Sequence, residues 1–175
     1  IAEEKYGIRD TSYSICGVSY TEEGFPHTWF PFLSSKVVGI RVMDICKNDI
    51  NRGLYQLAHE IIHCLCPHRE INANVFEEGL ATHFAAEYMD EYEKQPDWHP
   101  AETDYKYVLA LKCIKKALEI DPNIITKLVA KERNFVNITE DMILEVSPEF
   151  PRDLAKILTT DFDDNSWMGL ANKIE

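Results

Sequence analysis

The sequence predicts an α+β fold: a small antiparallel or mixed sheet at the N-terminus, then a mainly helical part. Three observations predict it. β-Branched and aromatic residues concentrate in short runs between residues 12 and 45, separated by turn residues. From residue 50 onward apolar residues recur at helical spacing. The chain of 175 residues is 45 % hydrophobic, which is enough for one core and too little for two large ones. The expected organisation is one domain over 1–175, mainly β over 1–47, helical with the key polar cluster over 48–94, and helical over 95–175.

The elements follow in order. "SYSICGVSY" (12–20) alternates imperfectly and is rich in β-formers, so it reads as a strand. "EEGFPH" supplies turn residues, and "TWFPFL" is aromatic with a proline. "KVVGIRVMDI" (36–45) is a second strand, in which Gly39 suggests a bulge or a close backbone approach. Arg41 alternates with Ile40 and Val42, so one face of this strand is wet. Asn48 or Asp49 then caps a helix through Ile50, Leu54, Leu57, Ile61 and Leu65, which Pro67 stops. After the polar loop "PHREIN", a second helix runs to about residue 94. A two-proline loop (95–104) precedes "DYKYVLALKCIKKALEI" (104–120) and further short helices. "KKALEIDPN" has the look of a helical-repeat tail but occurs once, so it reads as an ordinary helix end.

The net charge of −12 argues against a nucleic-acid partner, whose phosphates would be repelled, and favours a neutral or basic substrate. The scattered acidic residues also serve as ordinary solvated surface. Five cysteines, an odd number without a regular framework, fit a reducing, cytoplasmic compartment. No apolar run approaches a membrane span, so no membrane partner is expected. No signal peptide is visible, although the chain begins at Ile1 without a methionine.

The chemistry concentrates in "LYQLAHEIIHCLCPH" (54–68). His59 and His63 stand four apart, about 400° round a helix of 3.6 residues per turn, so both imidazoles can converge on one ion. Glu60 is offset by about 100°, beside such an ion, where it can take a proton from a metal-activated water. Leu57, Ile61 and Cys64 point the other way and form the expected core stripe. A catalytic zinc needs a third protein ligand and an open position. "FEEGLATHFA" (76–85) offers Glu77 and Glu78 early in the next helix. Gly79 costs that helix about 1 kcal/mol relative to alanine, which suggests a close approach by the first helix or its metal.

"HEIIH" followed by "EEGLA" resembles the gluzincin zinc metallopeptidases and the small peptidase MA-like domains. The resemblance covers residues 55–88 strongly. It implies one Zn²⁺ per chain held by His59, His63 and Glu78, with Glu60 as the general base. It also implies a cleft lined by the strand before the motif helix, a role available to "VVGIRVMD", where an extended peptide substrate pairs. The chain departs from the family in two ways. Only fourteen residues separate His63 from Glu78, and His83 stands where many members carry a tyrosine. The family's oxyanion stabiliser has no clear match; His99, Tyr105 and Tyr107 are the candidates.

Other residues have plainer readings. Glu77 is the alternative third ligand. Cys64 and Cys66 flank His63, but C-x-C-P-H lacks a second ligand pair, and Cys64 suits the core. His68 reads as a loop residue, His27 as a turn residue, and the acidic run Glu87 to Glu93 as a solvated face. The expected activity is a zinc-dependent hydrolase cleaving peptide bonds in a peptide or protein substrate. The alternatives are a zinc-binding regulatory protein without turnover and a helical interaction domain with a chance motif. Oligomeric state is not legible from the sequence.

Overall fold

A computed structural model describes residues 1–32, 34–69, 72–96, 98, 100 and 104–174. A short helix α1 (Ala2–Tyr6) precedes three strands, β1 (Ser14–Thr21), β2 (His27–Trp29) and β3 (Val37–Met43). Then come α2 (Ile50–His63), α3 (Val75–Glu91), α4 (Tyr105–Ile120), α5 (Ile124–Lys131), α6 (Glu140–Val146), α7 (Arg152–Leu158) and α8 (Met168–Ala171). This is the α+β class, with a small mixed sheet first and helices after it. The N-terminal helix was not expected; it seats Ala2 and Tyr6 in the helical core.

The sheet order is β1-β3-β2, with β1 parallel and β2 antiparallel to β3. β3 is therefore central, with β1 along one edge and the three-residue β2 against residues 39–41 on the other. The expected pairing of "VVGIRVMD" with a peptide is restricted, because β1 runs along one edge and β2 pairs with residues 39–41 on the other. Among the described residues the free edges belong to β1 and β2. Val38, Ile40 and Val42 alternate onto the buried face and pack with Cys46 and Cys64 against Leu57 and Ile61 of α2. On the other face the Arg41 guanidinium lies 4.3 Å from the Trp29 ring centroid. Gly39 has its expected close approach: a Cβ there would stand 2.5 Å from Trp29 Nε1 and 3.0 Å from Cys16 Sγ. The bulge lies across from it in β1, between Ile15 and Val18.

Asp49 caps α2 by accepting from the Arg52 amide at 3.0 Å. The buried Gln56 carboxamide then ties α2 to the end of β3, accepting from the Met43 amide at 2.9 Å. That bond fixes the helix against the sheet one turn before His59. Leu57 and Ile61 are only half-buried, because they face the small sheet. Tyr55, Ala58 and Ile62 belong instead to the large helical core with α3, α4, α5 and α7. Asn74 caps α3, its side chain accepting from the Glu77 amide at 2.9 Å. The segment before α3 is held by the C-terminal region: Val75 N donates to Thr160 O at 3.0 Å and Phe162 N to Ala73 O at 2.9 Å. Gly79 is needed for α4, not for α2 or a metal. A Cβ there would stand 2.7 Å from both Ala110 O and Ile114 Cγ1.

Candidate metal centre

α2 and α3 bring His59, His63 and Glu78 together. His59 Nε2 lies 3.2 Å from Glu78 Oε2, and His63 Nε2 lies 3.7 Å from Glu78 Oε1. The two imidazole rings are 5.3 Å apart. Metal–ligand bonds of about 2.1 Å in a tetrahedron set the ligand atoms roughly 3.4 Å apart. The two histidine–Glu78 separations, each to a different carboxylate oxygen, lie on either side of that edge, and two imidazoles with one carboxylate are donor types that suit zinc.

Glu60 competes for the ligand role, since His59, Glu60 and His63 each offer an atom within 4.8 Å of the others. Glu78 is the other candidate, with one oxygen 3.2 Å from His59 Nε2 and the other 3.7 Å from His63 Nε2. Glu60 is buried beside the two histidines, and burial pushes its pKa up against the smaller opposing pull of His63 and His59.

Glu77 is not on the convergence point. It is fully buried, and its Oε1 accepts from His63 Nδ1 at 2.8 Å. A carboxylate only accepts, so the proton at that bond sits on Nδ1 and Nε2 is left to face Glu78. His68 Nε2 lies 3.2 Å and 3.0 Å from the two Glu77 oxygens. Burial alone would push Glu77 up, but the bonds from His63 and His68 hold it at about 2. Burial likewise opposes charge on His63, yet Glu78 and the bonded Glu77 raise it to about 10. Glu78 is lowered against its burial, chiefly by His63 and then by its bond to His59.

The site opens into a cavity of about 550 Å³. Phe25, His27, Thr28 and Phe30 form its sheet-side wall, and Tyr107 and Phe162 its helical wall. His27 and Thr28 of β2 thus line the cavity that β3 was expected to line.

The three oxyanion candidates part company. Tyr107 lines the cavity, and its ring lies 5.9 Å from that of His59. Its hydroxyl is held protonated by burial and by the charges of Glu78 and Glu60. Tyr105 lies 200° round α4, exposed, and donates to Asn172 Oδ1 away from the site. His99 lies outside the described residues. Tyr107 shares the stripe of Ala110, Ile114 and Ala117, which packs on α3, so the helical period contained the signal that singles it out.

His83 sits elsewhere, beside Lys5, Tyr6 and Glu87, with its pKa lowered by burial. All five cysteines are free thiols, and burial pushes Cys64 and Cys66 up to about 12, which leaves them protonated near neutral pH. Among the described helices none is long and apolar enough to cross a membrane. Comparison with protein-family models, curated proteins and solved structures finds no match.

Proposed function

We propose that the chain is a zinc-dependent hydrolase of the metallopeptidase type, with one zinc per chain held by His59, His63 and Glu78. The observation that carries this reading is the approach of two imidazole Nε2 atoms to one carboxylate, at 3.2 and 3.7 Å, beside a cavity lined by Glu60, His63 and Glu78. When bound there, zinc supplies Lewis acidity toward a carbonyl oxygen and acidifies water.

The chain's own groups do the rest. Glu77 orients His63 through Nδ1. Glu60, buried beside the two histidines, takes a proton from water on its carboxylate and passes it to the leaving amine. The Tyr107 hydroxyl stays protonated and donates to the carbonyl oxygen as charge develops on it. β2 is an edge strand whose His27 and Thr28 line the cavity, which makes it a place for an extended substrate to lie. A net charge of −12 favours basic peptides, and five unpaired thiols suit a reducing cytoplasm.

Metal binding without turnover was the alternative, supported by the lack of an oxyanion stabiliser. Tyr107 in the cavity wall supports the enzyme instead. The test is Glu60→Gln assayed on a peptide library. Zinc retained with turnover reduced about 10²–10⁴-fold is expected. Retained activity would remove Glu60 from the mechanism, and no turnover by the unaltered protein would favour the binding protein.

A further inference from the structure

His68 lies in the loop between α2 and α3, five residues beyond His63 and past the proline that ends the helix. Its imidazole does not join the convergence of His59, Glu60 and His63. It sits on the far side of Glu77. Glu77 Oε1 accepts from His63 Nδ1 at 2.8 Å, and His68 Nε2 spans both Glu77 oxygens at 3.2 and 3.0 Å. These imidazoles are the only polar partners of that buried carboxylate among the described residues.

A carboxylate with one partner can turn about its last bond and carry Oε1 away from His63. A donor that straddles both oxygens stops that rotation. It also satisfies Oε2, which would otherwise be a buried anionic atom without a hydrogen bond.

Two described residues near His68, Arg69 and Asn72, are tied to other parts of the chain. Arg69 donates to Phe32 O at 3.0 Å on the sheet side, and Asn72 Nδ2 lies 3.3 Å from Asp161 Oδ2 on the C-terminal side. The position of His68 is therefore set by the surrounding fold, and through Glu77 that position reaches the ring of His63.

We propose that His68 is a positioning residue of the metal centre, acting through Glu77 to hold His63 with Nε2 aimed at the ion. The proposal rests on the zinc reading above. Outer-shell partners of this kind are worth about 10–100-fold in metal affinity.

The test is zinc affinity by chelator competition on the full chain, for the unaltered protein, His68→Met and His68→Gln. Met fills the space without a donor, whereas Gln restores an N–H. A second readout is the exchange-protected Nδ1–H proton of His63 in selectively labelled protein, observed by NMR with and without zinc. His68→Met is expected to bind zinc about 10–100-fold more weakly and to lose that resonance, and His68→Gln to recover most of both.

A folded His68→Met with unchanged affinity and an unchanged resonance overturns the proposal. So does an equal loss in Met and Gln, which would mean packing alone. Where His68→Met does not fold, the Gln variant decides: loss of the resonance overturns the proposal, and retention with near-normal affinity supports it. If the unaltered protein takes up no zinc, the zinc reading fails. The metal-free resonance then decides the positioning role, with its persistence in His68→Met overturning it.

Discussion

Replacing Gly79 by alanine sets two effects of opposite sign against each other. In an open helix the change gains about 1 kcal/mol of propensity. Here the new Cβ would stand 2.7 Å from the Ala110 carbonyl oxygen and 2.7 Å from Ile114 Cγ1. Ordinary contact begins near 3.4 Å, so α4 must retreat by about 0.7 Å. Ala110 O is helix backbone and Ile114 is fully buried, so neither yields cheaply. Overpacking of this kind costs about 1–3 kcal/mol, toward the upper end where backbone is the obstacle. The net expectation is a loss of about 1–2 kcal/mol, read as a urea midpoint lowered by roughly 0.5–1 M. Glu78 is the neighbouring residue, so the same displacement should weaken zinc binding. A midpoint that rises with alanine would refute the close packing of α3 on α4 and the explanation of Gly79 drawn from it.

Two further outcomes test the site. Tyr107→Phe should lower kcat about 10–10³-fold with KM nearly unchanged, since the hydroxyl acts on charge that develops only during reaction. An unchanged kcat would return the oxyanion role to an unidentified group. For metal-free protein, His63 is raised from 6.5 to about 10. A raised folded-state value means that its stabilising contribution is complete below about pH 6.5 and is lost as pH rises through about 10. Zinc needs this ring neutral, so uptake near pH 7.5 should release the His63 proton, and affinity should rise about tenfold per pH unit toward pH 9. Calorimetry in two buffers of different ionisation heat measures that proton, and no release would contradict the ion pairing with Glu77 and Glu78.

Much of the site was legible because it is local and periodic. His59 and His63 share a helix face by spacing alone, and "EEGLA" marks the partner helix. The resemblance put Glu78 ahead of Glu77, and the contact distances favour the same assignment. Tyr107 was legible in principle, from its register with Ala110 and Ile114, but Tyr105 and His99 stood beside it with equal chemistry. The bridge from Glu77 to His68 was not legible. Pro67 ends the helical period, and the path from there to Glu77 depends on bonds to residues near 160 that no local pattern encodes. Strand order was not legible for a similar reason. Both runs read as strands, but only tertiary packing decides that β3 lies between β1 and β2. Gly79 was seen to need room, while its neighbour proved to be α4, about thirty residues further on.

The central claim is that His59, His63 and Glu78 hold a zinc ion. The most direct measurement is elemental analysis of zinc per chain, on protein purified without chelator or affinity metal and then offered zinc. The account predicts about one zinc per chain for the unaltered protein and for Glu77→Ala, the latter bound more weakly, and almost none for Glu78→Ala. No zinc in the unaltered protein would contradict it outright and reduce "HEIIH" to a structural helix. Zinc lost from Glu77→Ala but kept by Glu78→Ala would move the third ligand to Glu77.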